Sequence, residues 1–231
     1  MRTITIFLLS FAAFLPFMAC AQDDGVPSVS PTATYFDDEG IETETSSDFA
    51  GQAPLAVTFR ANPENMSGYT PVYEWHFQKE GDDRELMVRY DEDTQYTFTV
   101  SGTTIVTLKV MLNGAGEQLD STVIRVTVNE SKLSFPNAFS PNGDGHNDTF
   151  KAKEYQSIVE FHAYIFNRWG QKLFEWTDPA GEWDGTYNGK DVKDGTYFLL
   201  VKARGADGWH YNIRRDVNIL RGYIEDARSE E

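Results

Sequence analysis

The sequence predicts an all-β protein, in which two tandem antiparallel β-sandwich domains follow a signal peptide and a flexible linker. Three observations carry this expectation. Apolar and polar residues alternate at period two in run after run. Those runs are rich in β-branched and aromatic residues. Clusters of Gly, Asn, Asp and Pro separate them at intervals too short for a helix of useful length. The chain of 231 residues is long enough for one or two domains, and a composition 40% hydrophobic and 14% aromatic can fill their cores.

Residues 1–21 read as a targeting segment, with Arg2, an apolar run from Ile4 to Phe17, and small residues at Ala19 and Ala21. The run is too short to span a bilayer. Two processing outcomes fit the same residues. Ala19-Cys20-Ala21 suits cleavage after Ala21, leaving Gln22 as the new N-terminus. Phe17-Met18-Ala19-Cys20 resembles a lipobox, in which Cys20 carries the lipid. Either outcome takes the protein out of the cytoplasm. No later segment approaches the roughly 20 apolar residues of a transmembrane helix.

Residues 22–50 are rich in Asp, Glu, Ser, Thr, Pro and Gly and read as an acidic flexible tether with one short strand at 33–36. Period-two alternation begins at 51–130. Leu55, Val57 and Phe59 share a face, as do Tyr73, Trp75 and Phe77, then Val106, Leu108, Val110 and Leu112, then Thr122, Ile124, Val126 and Val128. Asn62-Pro63, Gly81-Asp82-Asp83, Ser101-Gly102 and Asn113–Gly116 are the turns between them. Ala53–Phe59, Tyr73–Phe77 and Gly102–Leu108 resemble a PKD-type immunoglobulin-like domain, although Trp75-His76-Phe77-Gln78-Lys79-Glu80 departs from that family's W-D-F-G-D-G run. The resemblance implies a spacer or adhesion module. Trp75 belongs to the core face by its alternation partners rather than to a sugar platform, and His76, with Glu74 and Gln78, reads as a solvated surface histidine.

The second domain spans 131–231. Val159, Phe161, Ala163 and Ile165 alternate with polar or outward residues, and Tyr197, Leu199, Val201 and Ala203 do the same. Asn167-Arg168-Trp169-Gly170 reads as a hairpin connection in which Gly170 supplies a positive φ, and Asp184-Gly185 and Asp194-Gly195 are further turns. Four blocks stand out: Phe135–Phe150, Ile165–Glu175, Trp183–Lys190 and Asp194–Phe198. In order and spacing they resemble the gliding-motility-associated C-terminal domain, the type B sorting domain of type IX secretion. That resemblance implies a β-sandwich that directs cargo across the outer membrane of a Gram-negative bacterium, with the type IX secretion machinery as partner and an extracellular or outer-membrane surface location. The family's last strand normally ends the protein in text like Asp216–Arg221, whereas here an acidic stretch continues to Glu231.

Within the first block, Asn142, Asp144, Asn147 and Asp148 could supply several oxygens to a calcium ion. The frame is not that of an EF-hand, and an Asx-and-Gly turn held by side chain to backbone bonds explains the same residues. No other cofactor is expected. Twenty Lys and Arg against 36 Asp and Glu give a net charge of −16, which excludes a nucleic-acid binder working through a basic surface. The single cysteine, Cys20, leaves no thiol catalyst or Cys-based zinc site in the folded region. Carboxylate groups such as Asp82/Asp83 and Asp91/Glu92/Asp93 lie in hydrophilic stretches, which do not push pKa values apart as acid–base catalysis requires. The expectation is a non-enzymatic exported protein with a sorting domain and a spacer or interaction module, whose further partners are cell-surface proteins or glycans. The rival is a surface lipoprotein that keeps the C-terminal domain as a structural or adhesion module. An exposed cluster of Trp169, Trp183 and Trp209 would add a binding role for the second domain.

Overall fold

The computed structural model describes residues 25–112 and 117–222, and among them it contains strands and turns but no helix. The first eleven strands are β1 (Ser28–Val29), β2 (Thr32–Phe36), β3 (Glu42–Thr45), β4 (Phe49–Gly51), β5 (Leu55–Arg60), β6 (Pro63–Glu64), β7 (Val72–Lys79), β8 (Glu85–Arg89), β9 (Asp93–Phe98), β10 (Gly102–Leu112) and β11 (Glu117–Val128). A five-stranded sheet in the order β4-β11-β10-β7-β8 faces a four-stranded sheet in the order β3-β2-β5-β9. The period-two runs bury their apolar sets between these sheets, with Phe59, Phe77 and Trp75 essentially without solvent contact. Phe59 lies 5.7 Å from both Trp75 and Phe77, ring centre to ring centre. The Trp75 indole N–H donates to the carbonyl oxygens of Asp91 and Glu92, so the buried ring has its polar atom satisfied.

The short strand expected at 33–36 is β2, but the expected tether around it at 22–50 is corrected by the fold: from Ser28 onward this stretch forms β1 to β4 of the first sandwich. Its acidic residues other than Asp37 sit on exposed positions, while Ala33 is fully buried and Tyr35 stacks on Phe49 at 4.2 Å with an interplanar angle of 11°. Asp37 closes the turn between β2 and β3 by accepting from the amides of Glu39 and Ile41. Local composition looks disordered, yet a few inward side chains and a sheet edge are enough to order it. His76 is also not the solvated residue expected. Its ring lies between Glu85, 2.6 Å from Nδ1, and Glu74, 3.1 Å from Nε2.

The second half comprises β12 (Lys132–Ser134), β13 (Ala138–Phe139), β14 (Phe150–Lys151), β15 (Glu154–Gln156), β16 (Ile158–Phe166), β17 (Lys172–Trp176), β18 (Glu182–Trp183), β19 (Thr186–Tyr187), β20 (Lys190–Asp191), β21 (Gly195–Gly205) and β22 (His210–Ile219). One five-stranded sheet in the order β13-β22-β21-β16-β17 is covered by three short ribbons, β12-β15, β14-β18 and β19-β20. Phe135, Phe139, Phe150, Trp176 and Trp183 fill the space between them. The sheets are not wholly antiparallel, because β4 joins β11 and β13 joins β22 in parallel.

The two cores meet at one place. A register shift between Ile158 and Glu160 leaves Ile158 in the second core but aims Val159 at the first, correcting the shared face expected for Val159 and Phe161. The tip of the β21–β22 hairpin inserts Ala206, 4% exposed, into the first core. Its amide donates to the Ser157 carbonyl at 2.9 Å and its carbonyl accepts from the Ser101 amide at 3.0 Å. The buried Ser157 hydroxyl accepts from the Ala53 amide at 3.2 Å. Ser131, at the crossing between the sandwiches, is tied to the same hairpin by Asp207 and Tyr211. Burial opposes ionisation of Asp207, but the amides of Trp209 and Ser131 outweigh it and hold the carboxyl below its ordinary range.

Candidate functional site

The four sequence blocks of the second half converge on one end of its sheet. Strand β16 ends there at Phe166, β17 begins there, β21 starts at Gly195 opposite Ile219, and β22 finishes there. Since β13 runs parallel to β22, the loop after Phe139 emerges at the same end. The contact with the first sandwich, at Ser157 and Ala206, lies at the other end.

The loop 140–148 is organised around Asp148. Its Oδ1 accepts from the amides of Asn142 and Gly143, and its Oδ2 accepts from Gly145 at 2.8 Å. These amides, those of Gly143 and Gly145 foremost, hold the carboxyl below its usual value. Asp144 accepts from the His146 amide, and Asn142 both accepts from the Asp144 amide and donates to its carboxylate. The oxygens of Asp144 and Asp148 therefore serve the loop's own N–H groups, as in an Asx turn. Asn147 takes a positive φ of 51°, and its carbonyl accepts from the Ser140 amide. Among the described residues, no group of three or more His, Cys, Asp or Glu side chains is placed to hold a metal ion.

Arg221 joins three of the converging segments. Its guanidinium donates to the carbonyls of Val192 and Gly185 and to the Asp194 carboxylate, while its amide donates to the same carboxylate. Gly185 has φ +78°, and a Cβ there would lie 3.1 Å from Pro141 and 3.2 Å from the Arg221 guanidinium. The glycine is needed both for its backbone conformation and for the room it leaves. Nothing local in the sequence marks an Arg after a final strand as a tie between distant turns.

The tryptophans do not form the cluster considered above. Trp183 is fully buried, with its indole N–H on the Thr186 carbonyl. Trp169 is 79% exposed on the β16–β17 turn, and Trp209 is 65% exposed at the tip of the β21–β22 hairpin, at the opposite end. Asn167 shapes the Trp169 turn by accepting from the amides of Trp169 and Gln171, and Gly170 has the expected positive φ, 79°. The Arg168 guanidinium lies 4.9 Å from the Trp169 ring centre. Beside this turn, Phe166 pairs across the strands with Phe198, and Tyr164 with Leu200, all on the face turned away from the core. Phe198 is 43% exposed. A shallow groove of about 370 Å³ runs over Phe166, Phe198 and Leu200 and is edged by Arg214 and Asp216. The signal for this patch was present in the sequence: Tyr197–Val201 is apolar on both faces, where a sheet with one wet face alternates. Cys20, Ala21 and Gln22, the expected processing residues, lie outside the described residues.

No helix among the described residues is long and apolar enough to cross a membrane. No curated protein matches the chain. Among solved structures, the chain is similar to the Bacteroides ovatus mixed-linkage glucan utilization locus SGBP-B in complex with a mixed-linkage heptasaccharide, at 17% identity and a TM-score of 0.29, over 75% of this chain and 43% of that one. It is similar to the chicken CNTN1 FN1–FN3 domains at 10% identity and 0.30, over 77% and 68%. It is also similar to dimeric latent PorU from Porphyromonas gingivalis at 12% identity and 0.27, over 86% and 20%. The chain thus spans less than half the length of the first of these structures. The match that bears on the second sandwich is to a family model: residues 133–213 match the CHU_C type IX secretion signal domain.

Proposed function

We propose that this is a non-enzymatic protein of the cell surface or medium of a Gram-negative bacterium, exported through type IX secretion with the second sandwich as its address. In this reading the first sandwich is the spacer or interaction module. The observation that carries the reading is the family match over residues 133–213, whose blocks in the structure form one continuous end of a folded sheet rather than scattered turns. The test is export of the full chain, against a variant lacking residues 131–231, from a Gram-negative host with a working type IX pathway. The full chain is expected at the surface or in the medium, and the truncated one in the periplasm. Equal export of both would overturn the reading.

A second reading, in which the C-terminal domain stays attached as a structural module of a surface lipoprotein anchored through Cys20, is favoured by the insertion of Ala206 into the first core. Removing the second sandwich would uncover that contact. Intact mass of the surface protein decides between the two: loss of everything after about residue 130 supports a discarded signal, and retention supports a resident module.

A further inference from the structure

We infer that the exposed aromatic patch at the free end of the second sheet, centred on Trp169 and Phe198, is the surface by which an export-machinery protein grips the folded domain. This rests on the sorting role proposed above and adds to it the contact surface and the character of the partner. Trp169 projects from a turn fixed by Asn167, and Phe166 and Phe198 continue the patch onto the outer sheet face. A rigidly presented aromatic beside an apolar groove is the arrangement of an interface anchor. Scattered surface hydrophobics need no explanation, but large aromatics adjoining across strands do.

Charge indicates what the patch meets. Residues 22–130 carry six Lys and Arg against twenty Asp and Glu, whereas residues 131–222 carry twelve of each. Around the patch the exposed charges are Arg168, Lys172, Arg214 and Asp216: Asp216 lies opposite Phe198 in the groove, and Lys172 is paired with Glu175, which also meets His162. Arg168 and Arg214 outnumber Asp216 there, so the complementary partner is a protein whose apolar pocket carries carboxylates opposite these two guanidiniums. The acidic first sandwich of the same chain docks at the opposite end and does not cover the patch. The four blocks that resemble the sorting domain all reach the end where the patch lies, which favours the export machinery over a second copy of the chain.

The test compares the full chain with the double variant Trp169→Ala/Phe198→Ser, with Arg214→Glu, with Trp209→Ala as a control at the other end, and with the variant lacking 131–231. Surface and medium protein is measured in a type IX-competent host. Because both mutated aromatics are exposed, an unchanged melting temperature verifies folding. The double variant is expected to accumulate in the periplasm as the truncated chain does, with export reduced at least about ten-fold, the order expected for loss of an anchor pair. Arg214→Glu is expected to reduce export in the same direction, and Trp209→Ala to leave it unchanged. Normal export of the double variant while the truncated chain stays behind would overturn the patch and leave the sorting role standing. Normal export of the truncated chain would overturn both. An equal defect in Trp209→Ala, or a wild-type dimer that the double variant abolishes, would also overturn the inference.

Discussion

Individual residues differ most by whether a neighbour answers their polar groups. Trp75 and Trp183 are buried with the indole N–H satisfied, so each is a core residue despite the temptation to see a ligand platform. Asp148 is the opposite kind of residue, a half-buried carboxylate that organises a loop by accepting from backbone amides. Those amides favour its charged form, so its folded pKa lies below the ordinary 3.8. A depressed carboxyl pKa means that the loop's contribution is fully present above the unfolded value and is lost as the pH falls through the lower, folded one. The Gly143 and Gly145 amide resonances are therefore expected to titrate together with a midpoint below 3.8. A midpoint at or above that value would show that the carboxylate does not hold the loop.

Elements fail or hold at their turns, and two glycines of similar conformation separate backbone preference from packing. Gly170 has φ +79° with open space where a Cβ would go, while Gly185 has φ +78° with Pro141 and Arg221 in the way. Alanine at either site carries the left-handed penalty of about 1–2 kcal/mol. At 185 it must also displace the guanidinium that ties the Asp184, Val192 and Asp194 segments together, an overpacking cost of about 1–3 kcal/mol more. Thermal melts are expected to fall further for Gly185→Ala than for Gly170→Ala, and equal shifts would mean that the Arg221 tie contributes nothing. The same contrast explains what the sequence made legible. Turn dipeptides and period-two runs act locally, so the strands of both halves and the Gly170 conformation could be read directly. Of the strands at 28–51 only β2, at the expected 33–36, could be read so; β1, β3 and β4 could not, because their order comes from neighbouring strands and from Tyr35 meeting Phe49 rather than from their own acidic composition. Arg221 was hidden for a related reason, since its partners at 185, 192 and 194 become neighbours only when β21 and β22 pair. The Trp169 patch was half legible: the residues were visible, but which tryptophans share an end of the sheet depends on strand direction.

At the scale of the whole molecule, a strongly acidic sandwich and a charge-balanced one are joined through a small apolar plug rather than a salt-bridged surface. Ala206 enters the first core from the β21–β22 hairpin, and its backbone is bonded on both sides, to Ser157 of its own half and to Ser101 of the other. Apolar contacts and buried backbone bonds are insensitive to salt, so this joint is expected to persist where a charge-mediated one would be screened. It also holds the exposed aromatic end outward, away from the first sandwich. Each half has its own core, so disturbing the plug should free the halves without unfolding the second. Ala206→Arg tests this in the full chain, because a guanidinium cannot enter that core unpaired and must push the hairpin tip out. The expected result is a larger radius of gyration in solution and faster hydrogen exchange at the Ala53 and Ser101 amides, with protection in β16 and β21 retained. Unchanged dimensions and unchanged exchange at those two amides would mean that the sandwiches are not held together through Ala206, and the orientation argued for the export-facing end would lose its structural basis.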